Sequence, residues 1–245
     1  MLKRTFNSAV YFIVLLTVPY CVQAQDNLIT PANKKLQMKF LKPYKSSFDV
    51  IVQNNVKKKD YGLLIDEVKI IEMNGEKYFE RIQKMPDINL VDTSINNFND
   101  LSPVSHAGNN LSGYLHLNFG KSKVTGEKYL SKNDSLIKIN TNMSTPYFDS
   151  NMFEVVLRLL PLDNNFKGAV PYYQFETGGY TIYSVKVIGS EELKNPDGTT
   201  ENSWILETSY NDSRSDIYIS KKTREVLKKM VIRSPQVKIL FERVD

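Results

Sequence analysis

The chain has 245 residues, of which 41% are hydrophobic and one is a cysteine, and its formal net charge is +5. A single cysteine excludes a disulfide framework and metal sites built from several cysteines. The charge falls to +3 if the N-terminal leader described next is removed, which is too little to indicate nucleic-acid binding.

The first 24 residues have the pattern of a secretory signal peptide. Lys3 and Arg4 form a short positive start, residues 9–18 form an almost unbroken apolar run, and Val22 and Ala24 supply the small residues that signal peptidase requires. Cleavage between Ala24 and Gln25 would leave 221 residues. The sequence therefore predicts an exported, periplasmic protein.

A lipid anchor on Cys21 is the alternative for this N-terminus. The bulky Tyr20 immediately before Cys21 disfavours it, because a lipoprotein peptidase requires small residues there. No second apolar run approaches the ~18 residues of a membrane span, so no transmembrane segment is predicted in the mature chain.

Residues 25–47 are predicted to be a loosely ordered lead-in to a single β-rich domain over residues 48–245. Two groups of lysines are interpreted as solvated edges or loops, since lysine on an edge strand discourages pairing between chains. Contact with a membrane surface or an anionic polymer is the alternative. The groups are Lys34, Lys35, Lys39, Lys42 and Lys45, and Lys57, Lys58 and Lys59.

Alternation of apolar and polar residues predicts a series of half-buried strands. Residues 61–73 and 76–84 flank Asn74-Gly75, a pair that favours a type I′ turn, and so predict a β-hairpin. Residues 96–100 and 163–168 are predicted to be turns. Further strands are predicted at Gly113–Phe119 and at residues 135–141, 180–188, 204–210, 217–219, 226–232 and 237–244, with a turn at Pro196-Asp197-Gly198.

One helix is predicted, with Asn151 as its N-cap, Glu154 as the reciprocal partner of a capping box, and Pro161 ending it. Its apolar residues cover more than one face, so the helix should be largely buried. The sequence predicts a mainly β, single-domain protein: a strongly curved antiparallel sheet, half-barrel-like, packed on one main buried helix. The apolar residues of the helix are Met152, Phe153, Val155, Val156, Leu157, Leu159 and Leu160.

Residues that could carry catalysis are few. His106 and His116 lack metal-ligand spacing and are predicted to lie at the surface, His106 in a loop. The adjacent acids Asp66 and Glu67 point to opposite faces of a strand, so they form no catalytic pair. No cofactor or metal is predicted, and the chain is predicted not to be an enzyme. A hydrolase with two acids from distant strands stays open as an alternative.

Aromatic residues are concentrated in the C-terminal half, where they either fill the core or line an apolar cavity. We predict a groove between the concave face of the sheet and the helix that takes a lipid, a lipoprotein acyl chain or another amphiphile. Its predicted lining residues are Phe153, Leu157, Leu160, Tyr183 and Trp204, for each of which core packing is the competing interpretation.

One short pattern indicates a modification. Asp134-Ser135-Leu136 fits the Asp-Ser/Thr-apolar sequence that some Gram-negative bacteria glycosylate in the periplasm. A match of this length arises easily by chance, so the sequence leaves open whether Ser135 is glycosylated.

The order of several segments resembles an exported bacterial family catalogued as domain of unknown function 3108, over roughly residues 48–245. The resemblance implies a curved antiparallel sheet cradling a helix, similar in shape to the half-barrels of periplasmic lipoprotein carriers, and it implies no catalytic residues. The segments that carry it are residues 101–105, Gly113–Phe119, and residues 124–126, 148–151, 157–162, 185–191 and 217–228.

The function predicted from these observations is a non-enzymatic periplasmic binding or carrier protein for a lipid or other amphiphile. The first alternative is a cell-envelope interaction module that contacts a protein or a polysaccharide. The hydrolase is the second.

Overall fold

The computed structural model of the chain describes residues 27–175 and 178–245. The predicted signal peptide, with its cleavage site at Ala24 and Gln25 and with Cys21, lies outside these residues. The strands are β1 (Tyr44–Asn54), β2 (Lys58–Met73), β3 (Glu76–Met85), β4 (Leu90–Asn97), β5 (Pro103–Asn110), β6 (Gly113–Phe119), β7 (Lys123–Leu130), β8 (Ser135–Asn142), β9 (Phe148–Asp149), β10 (Lys167–Gln174), β11 (Gly179–Lys194), β12 (Thr200–Tyr210), β13 (Ser213–Ser220), β14 (Val226–Ser234) and β15 (Val237–Arg243). The helix α1 is Phe153–Arg158, and five 3-10 turns lie at Pro31–Asn33, Met38–Phe40, Pro86–Ile88, Ser131–Asn133 and Ser150–Met152.

All fifteen strands form one curved, open sheet in the order β8-β7-β6-β5-β4-β3-β2-β1-β15-β14-β13-β12-β11-β10-β9. Strands β1 to β8 run outwards from the centre as successive hairpins, and β15 back to β10 run outwards in the other direction. Antiparallel pairing of β1 with β15 joins the two halves, whereas β9 and β10 pair in parallel. The predicted mainly β architecture is confirmed.

The hairpin at Asn74-Gly75 forms as predicted. Asn74 and Gly75 both have positive φ, at 53° and 79°, as a type I′ turn requires. This turn sets the register of β2 against β3, in which Met73 lies opposite Glu76 and Val68 opposite Arg81.

The alternating pattern does not indicate β1, β4, β5, β7, β9 or β10. Two of these strands bury polar side chains where the pattern expects apolar ones: Ser94 and Asn96 in β4, and His106 in β5. The predicted turns are also shorter than expected, since Asn96 belongs to β4 and Lys167 begins β10.

The core lies on one face of the sheet, which we call the inner face, against α1 and the N-terminal segment. Val155, Val156 and Leu157 of α1 are fully buried among residues of that face such as Phe79 and Ile217. The predicted burial of the helix is therefore observed. No helix among residues 27–175 and 178–245 has the length and apolarity needed to cross a membrane.

The capping of the helix differs from the predicted capping box. Asn151 is not the cap. Asp149 caps the 3-10 turn Ser150–Met152, which leads into α1, since its side chain accepts a hydrogen bond from the Asn151 backbone N–H at 2.9 Å. The N-cap residue of α1 itself is Met152, which makes no side-chain capping bond. Glu154 is not available as the reciprocal partner because its carboxylate pairs with Arg81 and Lys229.

The structure differs from the expectation of a loose lead-in. Ile29 is 3% exposed and packs in the core, and its backbone N–H donates to the carbonyl of Ala169 at 2.8 Å. The Gln37 N–H donates to the carbonyl of Leu159 at 2.7 Å, at the end of α1. The segment is held by apolar burial and backbone hydrogen bonds, while its lysines are exposed as predicted.

Candidate functional site

An open groove of about 640 Å³ lies on the inner face at the N-terminal end of α1. Its volume lies within the range of sites for small ligands, about 300–1,000 Å³. The residues that line it are Leu64, Gln83, Met85, Leu90, Ser150, Asn151, Phe153, Glu154, Tyr172, Gln174, Phe175, Tyr183, Thr208, Tyr210, Ser213, Ser215, Lys229, Val231, Arg233 and Phe241. We call this site the inner groove.

One wall of the inner groove is a continuous row of aromatic rings. Phe153 of α1 contacts Tyr172 at 4.9 Å and Tyr183 at 5.2 Å between ring centroids, and Tyr183 contacts Tyr210 at 5.7 Å. Tyr172 is fully buried, whereas Tyr210 is 39% exposed. The row therefore runs from the core to solvent.

The rest of the lining includes aliphatic and aromatic side chains from both halves of the sheet. Leu64 and Met85 are buried in a small cluster, against which Leu90 and Phe241 pack. The inner groove therefore offers apolar surface on two sides, a form suited to an alkyl chain.

A buried group of charges lies between the apolar core around α1 and the inner groove, and we call it the Arg81 cluster. Arg81 is 1% exposed and donates to both carboxylate oxygens of Asp66 at 2.7 and 2.8 Å, to Glu154 at 3.0 Å, and to the carbonyl of Asn151. Lys229 pairs with the second oxygen of Glu154, and the Tyr44 hydroxyl donates to Asp66 at 3.0 Å.

Ion pairing dominates the titration of Glu154. Burial by itself raises the pKa of this carboxyl, but Lys229 and Arg81 outweigh burial and hold the pKa well below its ordinary value of 4.5. Two cations thus neutralise Glu154 within the fold, which leaves it unsuited to act as a general acid.

A second polar group, the Ser94 cluster, lies under the 3-10 turn before α1. The Ser94 hydroxyl donates to Asp149 at 2.6 Å, lies 3.0 Å from His106 Nδ1, and accepts from the Asn151 amide at 3.0 Å. His106 is in β5 and 3% exposed, so its predicted surface position in a loop is wrong. Its burial is compensated by these polar partners and by Phe175, whose ring lies 4.2 Å away.

The Ser94 cluster contains serine, histidine and aspartate, but its geometry does not match a hydrolase triad. In a triad the serine and the carboxylate contact opposite nitrogens of the imidazole. Here Ser94 and Asp149 both approach His106 Nδ1, at 3.0 and 3.5 Å, and Ser94 is fully buried. The cluster anchors β9 and the helical turn to β4 and β5.

The structure places the five predicted groove residues in three regions. Phe153 and Tyr183 line the inner groove and touch each other. Leu157 and Leu160 are fully buried in the core. Trp204 lies away from the inner groove, beneath the guanidinium of Arg224 at 4.6 Å from its ring centroid.

Sequence reasoning missed the pairing of Asp66 with Arg81, although a signal for it is present. The Asn74-Gly75 turn fixes the hairpin register, which brings Asp66 diagonally across from Arg81 on the inner face. A carboxylate and a guanidinium on the buried face of one hairpin are expected to pair. Glu154 is 73 residues from Arg81 in the chain, and Lys229 is 75 residues from Glu154. These pairings therefore give no local signal in the sequence.

Two further kinds of site receive no support from the described residues. No group of three or more histidine, aspartate or glutamate side chains there could hold a metal ion. The second kind is a hydrolase site with two acids. Among the described lining residues of the inner groove, Glu154 supplies the one carboxylate, whereas such a site needs two.

Comparison with known proteins gives a family and no function. No curated protein matches the chain. The family model described as "Protein of unknown function (DUF3108)" matches residues 66–235, which include most strands, α1 and most of the inner groove. The chain belongs to the family DUF3108.

Proposed function

We propose that the protein is a non-enzymatic binding or carrier protein for a lipid or other amphiphile. The observation that carries the proposal is the inner groove, an open volume of about 640 Å³ in which ten of the twenty lining residues are apolar or aromatic and ten are polar or charged. Such a combination suits a ligand with a long apolar part.

The N-terminal sequence supports a role in the periplasm. Residues 1–24 have the charged start, apolar run and small residues of a signal peptide. A carrier that crosses an aqueous compartment must shield the alkyl chain of its cargo from water, which an apolar groove can do.

Binding of an environment-sensitive acyl fluorophore tests the proposal. The chain, expressed from its full sequence and freed of lipid by solvent extraction, should bind the probe saturably at one site, with a dissociation constant in the low micromolar range. Unsaturable binding, or no binding, would contradict the proposal. Native mass spectrometry before extraction should also detect a lipid adduct.

A pair of variants on β11 localises the binding. Tyr183→Ala removes a ring from the aromatic wall and should weaken probe binding about tenfold, a loss of about 1.4 kcal/mol. Tyr180→Ala removes the same ring from the outer face of the same strand, where Tyr180 is 40% exposed. This control should bind like the parent chain, and equal weakening by both variants would place the probe elsewhere.

The alternative, an interaction module of the cell envelope, is favoured by one separate feature. Strand β8 is an edge of the sheet, and its Leu136 and Ile137 are 52% and 46% exposed. An edge strand with exposed apolar residues can accept a strand from a partner protein. Cross-linking from position 137 in the periplasm should capture a defined partner if this is the function.

A further inference from the structure

The inner groove has one charged side chain that is not neutralised. Its charged lining residues are Glu154, Lys229 and Arg233, and Glu154 already pairs with both Lys229 and Arg81. Arg233, near the end of β14, is exposed and has no hydrogen bond, ion pair or ring contact among the described residues. The groove therefore carries an uncompensated positive charge at one place.

The surroundings of Arg233 are polar on one side and apolar on the other. Ser213 and Ser215 of β13 line the groove, and the hydroxyls of both are without a hydrogen-bond partner in the described part of the chain. Arg214 pairs with Ile232 in the antiparallel register, so Ser213 lies opposite Arg233. Val231, two residues earlier on β14, also lines the groove and leads back to the apolar walls.

We infer that the ligand of the inner groove is an amphiphile with an anionic, oxygen-bearing head group, a carboxylate or a phosphate. This inference rests on the proposed function. A guanidinium binds either group through two parallel hydrogen bonds, and free serine hydroxyls add donors. The head group binds Arg233, and the alkyl chain lies along the rings of Tyr210, Tyr183 and Phe153.

The inference is tested with ligands that share a dodecyl chain and differ in head group. Dodecanoate and dodecyl phosphate are anionic, dodecyl maltoside is uncharged, and dodecyltrimethylammonium is cationic. Each is titrated below its critical micelle concentration against the full chain carrying the bound acyl fluorophore, and its dissociation constant is obtained from displacement. The anionic ligands should bind at least about tenfold more tightly than the other two.

Two charge reversals on neighbouring strands give a matched comparison. Arg233→Glu should weaken the anionic ligands about tenfold or more and strengthen the cationic one, while leaving the maltoside unchanged. Lys238→Glu makes the same change of net charge on β15, on the outer face, because Lys238 shares its pairing position with Ile232 rather than with the groove residue Val231. This control should leave all four dissociation constants unchanged.

The outcomes separate the two proposals. If all four ligands bind alike and Arg233→Glu changes nothing, the head-group inference is overturned and the proposed amphiphile-binding function stands. If dodecyl maltoside and the anionic ligands all fail to displace the fluorophore, both are overturned. Displacement by inorganic phosphate as strong as that by dodecyl phosphate would also overturn the inference, because the alkyl chain would then contribute nothing. Dodecanoate and dodecyl phosphate compared with each other identify the head group.

Discussion

Replacement of Arg81 by methionine tests whether the Arg81 cluster is as strongly desolvated as its geometry indicates. The substitution keeps an unbranched side chain of similar length but removes the guanidinium. Asp66, 5% exposed, would then lose both of its guanidinium hydrogen bonds and keep only the Tyr44 hydroxyl. Glu154 would keep Lys229.

The expected loss is large because a buried charge is left without its partner. Breaking a buried ion pair from one side costs about 3–5 kcal/mol. Domains are stable by about 5–15 kcal/mol, so the variant should fold but unfold at a clearly lower urea concentration. With a urea dependence of about 3 kcal/mol per molar, the midpoint should fall by about 1–2 M.

Two comparisons make this prediction refutable. Asp66→Leu/Arg81→Met removes the carboxylate as well as the guanidinium, so it should be more stable than Arg81→Met alone. Lys138→Met breaks the ion pair of Lys138 with Glu127 across β7 and β8, where the side chains are 70% and 30% exposed, and should leave the unfolding free energy almost unchanged. A loss below about 1 kcal/mol for Arg81→Met, or a double variant no more stable than the single one, would refute the reasoning.

Three other predictions concern stability. Above its ordinary pKa of 4.5 the ionised Glu154 stabilises the fold, and that contribution is lost as the pH falls below 4.5 toward its lowered folded-state pKa. Glu154→Gln should therefore destabilise the chain at neutral pH and weaken the fall of the unfolding free energy at acidic pH. An unchanged fall would contradict this. Burial raises the pKa of Asp92 above its ordinary 3.8, so its ionised form disfavours folding at neutral pH. Asp92→Asn should therefore raise the melting temperature at pH 7 but not at pH 3. A lower melting temperature at pH 7 would count against this. Leu157→Ala opens a cavity at a fully buried position and should cost about 2–5 kcal/mol in urea unfolding, so a loss under about 1 kcal/mol would mean that the core of α1 repacks freely.

The sequence predicts the general architecture because the features that determine it are local. Period-two alternation and the Asn74-Gly75 turn indicate a meander, and the run of apolar residues from Met152 indicates a buried helix. Strands β4 and β5 escape detection because their buried positions hold Ser94, Asn96 and His106, whose burial depends on partners that the chain brings together only on folding.

The candidate site is less accessible to sequence reasoning. Phe153 and Tyr183, two of the predicted groove residues, line the inner groove. Trp204 and Leu157 are apolar residues of the same predicted set, but the fold places them elsewhere. Leu157 is buried in the core, and Trp204 lies beside Arg224. Depth along a strand is set by the register of the whole sheet, which a single sequence does not specify.

The central position of β1 has a consequence for how the chain is synthesised. Its first neighbour, β2, follows at once, but its second neighbour, β15, comes after all the other described strands. The edge of β1 that β15 covers therefore stays without this partner until residues 237–243 have been made. The contacts between β1 and β15 span almost the whole domain, and contacts of such long range are slow to form. A chain that is made from its N-terminus has to keep this long edge from pairing with other chains until β15 arrives.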